Sequence, residues 1–293
     1  MSLLCLEASA RLQSFTAAAL ELHLTQGAVS RQIQTLEKRL DVRLFNRRRE
    51  ALALTDAGRY YLGEVAPLLL RLERATANVM AFKGRGGSLS LSVGASLGAY
   101  WLIPRLPDFT RAYGEITLNL ATRVGPVDFR AMQVDASLEF SDGRRPGLVA
   151  DFVLALDLAP YASPAWVAAH GATVDGSTSR AFLLQHSTLP GVWDEWFRHA
   201  GITASAGREG PRYEIMSMAL NAAVAGMGVV LLPPYMGDEA ETAGQLVRLA
   251  GTRWRYAKGY YLFYPEESAQ MQSLQVFRRW LLAGTTAIAE PAG

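Results

Sequence analysis

Residues 94–98 read Gly94-Ala95-Ser96-Leu97-Gly98, the spacing G-x-S-x-G. On a strand-to-helix turn that spacing exposes a serine hydroxyl as a nucleophile for acyl transfer. The same turn can instead offer Ser96 and free backbone N–H groups to a carboxylate or phosphate, or the hydroxyl can simply cap its own helix. A nucleophile also needs a base and an acid that orients it. His170, His186 and His199 follow Ser96, but none stands in a recognisable strand-end loop with an acid partner. Other chemistries have less support. One cysteine, Cys5, and four scattered histidines give no metal-ligand spacing. The stretch "KGRGGS" at 83–88 lacks the preceding strand and closing Lys-Ser/Thr of a phosphate loop. No cofactor motif is read.

The chain that must position these residues has 293 of them, half apolar and 19% charged, which is an ordinary globular composition of two or three folding units. The lone Cys5 suits a reducing cytoplasm. Neither a membrane-length apolar run nor a signal-peptide pattern is present, since Glu7 and Arg11 interrupt the first apolar stretch. The net charge of +2 is unevenly placed: residues 1–60 hold nine Arg/Lys against six Asp/Glu, the remainder twenty against twenty-one. A polyanion partner for the amino-terminal fifth is the implication.

That fifth carries the clearest pattern. Ser14 or Phe15-Thr16 can open a short helix with Ala18, Ala19 and Leu22 inward, and Leu24 falls in a turn. Thr25 is a suitable N-cap for a second helix. In that helix Val29, Ile33, Leu36 and Leu40 form one apolar stripe, while Gly27, Ser30, Arg31, Gln34 and Lys38 occupy the opposite face. This is helix-turn-helix geometry, whose second helix sets its first residues against base edges in the major groove of double-stranded DNA. Thr25, Gln26, Ala28, Ser30, Arg31, Gln34 and Lys38 are the expected contacts, with Gln26 and Gln34 suited to adenine and Arg31 to guanine or phosphate. Arg47, Arg48 and Arg49 would meet phosphates at the rim.

Here the sequence resembles the LysR-type bacterial transcriptional regulators. The resemblance rests on Ser14-Phe15-Thr16, Ala18-Ala19, Leu22, Thr25-Gln26, Ala28-Val29-Ser30, Ile33, Leu36-Glu37, Leu40, Leu44-Phe45, Arg47, Leu54-Thr55 and Ala57-Gly58, all in register with the family signature. Departures are Asp41 and Gln13 where glycine is usual, Gly27 where proline is frequent, and Leu6 for phenylalanine. Asp41 stands where a left-handed backbone is expected.

From Thr55 to about Lys83 the pattern is one long helix, with Tyr61, Val65, Leu68, Leu72, Ala75, Val79 and Phe82 alternating at four and three residues. Such a seam fits self-association into a homodimer, and the resemblance implies that dimers pair into a homotetramer. Pro67 lies within it and should kink it. The three glycines of 83–88 read as a hinge.

Beyond the hinge, strands "LSLSV", "ITLNLAT", "VDASLEF" and "YYLFY" alternate with helices such as "WDEWFRHAG", the pattern of a mixed or parallel sheet covered on both faces. "WLIPRLPDF", "VDASLEFSDG", "AGMGVVLLP" and "FRRWL" are similar to the effector domain of the family, most of all in the branch containing the glycine-cleavage and β-lactamase regulators. The expected architecture is therefore multidomain: an all-α winged helix-turn-helix over 1–58, a linker helix over 59–83, a hinge over 84–88, and over 89–293 an α/β domain like periplasmic binding proteins. Its first lobe would be 89–160 plus 259–290 and its second 161–258. Ligands of such sheets sit at strand ends, so a small, anionic effector is expected near Ser96, Thr122, Arg123, Phe140 and Ser141, faced by Ser187, Thr188 and Ser217. Arg123 is the first choice for the anion; Trp193 and Trp196 are expected in the core. The resemblance favours a binding role for Ser96 and implies RNA polymerase as a further partner. A serine hydrolase on a DNA-binding arm and an architectural DNA binder without ligand are the alternatives.

Overall fold

The computed structural model describes residues 1–47, 52–81, 86–132, 134–175, 178, 182–203, 210–249 and 253–285. Two compact units, Met1–Lys83 and Gly84–Gly293, divide the chain.

In the first unit α1 (Ser2–Leu12), α2 (Phe15–Glu21) and α3 (Gln26–Leu40) precede a hairpin of β1 (Phe45–Arg47) and β2 (Leu52–Leu54), followed by α4 (Asp56–Ala81). The expected caps form: Ser14 Oγ accepts from Ala17 N–H and Thr25 Oγ1 from Ala28 N–H, each at 3.2 Å, which satisfies helix donors that have no intrahelical acceptor. Asp41 takes the left-handed backbone (φ 54°, ψ 32°) that ends α3, and Gln13 does the same after α1 (φ 50°). Val29, Ile33 and Leu36 are buried with Cys5, Leu6, Ala18, Ala19, Leu44 and Phe45 in one core. Leu40, expected in that stripe, is instead 38% exposed, because the core stops one turn short of the helix end. Glu37 ties the hairpin down, its Oε1 accepting from Leu44 and Phe45 N–H at 2.8 and 3.1 Å. The first helix, α1, was not legible in the sequence.

The 26-residue α4 carries Pro67 inside it without a break in the helix. Val65 is buried and Tyr61 packs at the edge of the amino-terminal core. Leu68 and Leu72 are 62% and 64% exposed, and Ala75 is also exposed. Phe82 lies outside the described residues, as do Arg48, Arg49, Gly84 and Arg85, and the side chain of Val79 is not described.

The second unit is built on one mixed sheet of nine strands. In chain order it contains β3 (Ser88–Val93), α5 (Ala95–Leu97), β4 (Thr117–Thr122), β5 (Ala136–Ser141) and β6 (Leu148–Ala162). There follow β7 (Leu183–His186), β8 (Arg212–Tyr213), β9 (Val229–Leu232), β10 (Val247–Arg248) and β11 (Trp254–Pro265). The helices α6 (Leu106–Ala112), α7 (Phe129–Met132), α8 (Pro164–His170), α9 (Val192–His199), α10 (Met216–Val224), α11 (Pro234–Thr242) and α12 (Gln272–Ala283) fill the connections. The strand order is β4-β3-β5-β11-β6-β9-β7-β8, with β10 beside β6. Parallel pairs at each end, β3 with β4 and β5, and β7 with β8 and β9, flank antiparallel pairs that centre on β6 and β11.

Those two long strands join two lobes with separate cores. One core draws on Leu89–Leu154 and Leu262–Leu281, the other on Leu156–Leu249. The β6–β11 register slips between Arg255 and Gly259, where the chain passes from one core to the other; such irregularities bend strands. Trp193 and Trp196 lie in the second core as expected. Tyr235 of α11 and Tyr260 of β11 pack against both cores, and their hydroxyls meet at 3.3 Å. Burial holds both phenols protonated, their pKa values pushed above the usual tyrosine range. Among the described residues no helix is long and apolar enough to cross a membrane.

Candidate functional site

In the first unit the start of α3 stands out from the surface. Thr25, Gln26, Arg31, Gln34 and Lys38 are exposed, with Ala28 and Ser30 half-buried beside them. The buried stripe of Val29, Ile33 and Leu36 fixes which way the helix is turned, so the polar residues of the first three turns share the outward face. Arg47 closes β1 next to this helix in sequence; its side chain is not described, and Arg48 and Arg49 lie outside the described residues.

In the second unit a cavity of about 440 Å³ opens between the lobes. Its walls come from the carboxyl ends of strands: Ser96 after β3, Arg123 after β4, Phe140 and Ser141 at the end of β5, and Thr188 after β7. Those five candidates are brought together. Thr122 and Ser187 are exposed and stand outside the lining, and Ser217 takes part through its backbone.

The Ser96 hydroxyl does not cap its own turn. Its Oγ accepts a hydrogen bond from Ser217 N–H, in the first turn of α10, at 3.0 Å. The hydroxyl of one lobe thus satisfies a helix-start donor of the other. His186 also lines the cavity, but its Nδ1 pairs with Thr188 Oγ1 at 2.8 Å rather than with Ser96. The imidazole Nε2 is buried and has no hydrogen-bond partner. Burial lowers the pKa of this histidine to about 4, because a buried imidazolium loses its hydration.

Several cavity residues escaped the sequence reading. Arg144 and Arg145 lie in the turn after β5, Lys258 on β11, and Glu214 between β8 and α10. Arg145 is committed internally: it pairs with Glu139 at 2.9 and 3.0 Å and donates to Val127 O at 2.7 Å. Glu139, only 10% exposed, also accepts from Val127 N–H and Ser137 Oγ. This pair pins the loop 123–128, which carries Arg123, to β5. Arg123 itself is exposed and reaches Met132 Sδ at 3.2 Å. Glu214 and Lys258 follow Arg145 by 69 and 113 residues in sequence, so only the sheet topology brings them to this network.

Comparison with known proteins follows the same division. The pattern described as the bacterial regulatory helix-turn-helix protein, lysR family, matches residues 2–59, and the LysR substrate binding domain matches 82–286. The glycine cleavage system transcriptional activator of Escherichia coli K12 is 31% identical over 281 residues, covering 96% of this chain and 92% of its own. The transcriptional activator AmpR of Pseudomonas aeruginosa is 34% identical over 94% of this chain and 92% of its own. In structure, the effector domain of that AmpR covers 68% of this chain and 96% of its own, at 25% identity and a TM-score of 0.61. Full-length CbnR in complex with its target DNA shares the fold across 97% of this chain and 99% of its own, at 24% identity and a TM-score of 0.67. With a helix-turn-helix at its start and a substrate-binding domain after it, the chain belongs to the LysR family of transcriptional regulators.

Proposed function

We infer that the protein reads promoter or operator DNA as a dimer or a pair of dimers, and that a small anionic effector in the interlobe cavity governs how it does so. The observation that carries this reading is the cavity itself: about 440 Å³ between two separately packed lobes, with Arg123, Arg144 and Lys258 in its walls. A ligand held by both lobes favours one relative arrangement over others, and only that differential affinity shifts an equilibrium. The Ser96–Ser217 hydrogen bond is a contact such a shift makes or breaks. The linker helix and the 84–88 hinge connect that change to the DNA-binding unit; by linkage, the effector changes DNA affinity as much as DNA changes effector affinity.

On the DNA side Gln26 and Gln34 read adenine edges, Arg31 reaches guanine or phosphate, and Thr25, Ala28, Ser30 and Lys38 complete the contact. Arg47, Arg48 and Arg49 bind phosphates without reading sequence. The exposed Leu68 and Leu72 of α4 support self-association. A cytoplasmic location and a contact with RNA polymerase belong to the same reading of a transcriptional regulator. No catalytic step is assigned in this reading.

The test is thermal unfolding of the full chain against a panel of small carboxylates and phosphates. A ligand at one hundred times its Kd adds about 2.7 kcal/mol of apparent stability. The reading predicts at least one such shift, lost in the double substitution Arg123→Ala/Lys258→Ala. A panel that stabilises nothing, or a shift the double variant keeps, argues against the cavity as the effector site.

A further inference from the structure

We propose that the ligand of the cleft is a zwitterion of amino-acid to dipeptide size, its anionic group toward Arg123, Arg144 and Lys258 and its ammonium toward Glu214. The proposal rests on the effector reading above and narrows its chemical class. Three cations and one carboxylate of the lining remain once Glu139 and Arg145 are set aside as an internal pair. The cations stand after β4, after β5 and on the crossover strand β11, whereas Glu214 belongs to the second lobe, between β8 and α10. No ion pair within 4.0 Å joins Glu214 to any of the three cations.

Opposite charges that line one cleft without meeting each other present complementary charge to a ligand that lies between them. A ligand carrying only negative charge satisfies the first wall and leaves its remaining surface facing the Glu214 carboxylate. One carrying only positive charge faces three cations. A zwitterion meets both, and because its two ends engage different lobes it binds the arrangement that sets those lobes at the right separation.

Size and polarity agree. A volume of about 440 Å³ corresponds to roughly fifteen waters at ~30 Å³ each, room for an amino acid or a dipeptide. Leu138, Leu156 and Ile215 give part of the lining an apolar character suited to a side chain.

The experiment uses the full chain, thermal unfolding first and calorimetric titration of every hit. The probes are the twenty L-amino acids and their alanyl dipeptides, then the N-acetyl and C-amide forms of each that binds. A parallel set holds carboxylates without an amine and sugar phosphates. The expected result is a zwitterion whose affinity falls about tenfold on N-acetylation in the wild type, but much less in Glu214→Gln, and about tenfold on amidation in the wild type, but much less in Arg123→Ala/Lys258→Ala. Glu214 is exposed, so the Gln variant should fold, and an unchanged Tm without ligand checks this. Binding that ignores N-acetylation, or that Glu214→Gln leaves unaltered, overturns the proposal. So does a silent zwitterion set beside a stabilising carboxylate or phosphate, which would leave the anionic effector intact. Silence of both sets removes the effector reading along with the proposal.

Discussion

At the scale of single residues, two positions expose the physical constraints. Gly58 sits where an added Cβ would lie 2.1 Å from Leu44 O, well inside contact distance with backbone that Thr55 already holds. Thr55 Oγ1 donates to Arg43 O and accepts from Gly58 N–H. Gly58→Ala must therefore displace the junction of hairpin and linker helix. We expect a loss of several kcal/mol, at the upper end for single substitutions, seen as a lower Tm of the DNA-binding unit. An unshifted Tm would mean that the junction yields more easily than its geometry indicates. His186 makes a prediction about acid. Its pKa in the folded chain is about 4, against the ordinary histidine value of 6.5, so between those values the unfolded chain binds the extra proton. Stability is then full above about pH 6.5 and falls, by up to about 3 kcal/mol, as pH drops toward 4. His186→Gln should flatten that acid limb while leaving Tm at pH 8 little altered. Equal slopes in both proteins would place the titration elsewhere.

At the scale of elements, α3 was legible because three signals coincide there: a Thr25 cap, an apolar stripe, and polar residues opposite. The structure keeps all three, apart from Leu40, which runs past the core. The helix α1 lacked such a cap signal; Met1 precedes it without a capping side chain. Its burial of Cys5, Leu6 and Ala8 depends on tertiary packing that local pattern does not reveal. The strand β6 was missed for another reason. Its fifteen residues serve both cores and hold the apolar run Phe152 to Leu156, but Pro160 among them argues against a strand. In the cavity the strand-end rule found Ser96, Arg123, Phe140, Ser141 and Thr188, but could not find Lys258 or Glu214, which long-range topology delivers. For α4, exposed Leu68 and Leu72 lead to a prediction of their own. The pair Leu68→Glu/Leu72→Glu should shift the oligomer toward monomer by light scattering, because like charges would replace the exposed apolar surface that the proposed seam covers. An unchanged mass would move the self-association surface off this helix.

At the scale of the molecule, a helix-turn-helix unit is joined to a two-lobed unit whose cavity takes charge from both sides. The positive excess of the first sixty residues supplies affinity that salt weakens, since bound cations release counterions from DNA. In the proposed function, the exposed polar residues of α3 supply discrimination on top of it. The most direct measurement is the affinity of the full chain for its own upstream DNA and for a scrambled duplex of equal length, across a salt series. The expected result is tighter binding to the native sequence, a negative salt slope on both, and a Gln34→Ala variant that loses about 1–3 kcal/mol of preference while keeping the slope. Equal affinity for the two duplexes, unaltered by Gln34→Ala, would contradict it.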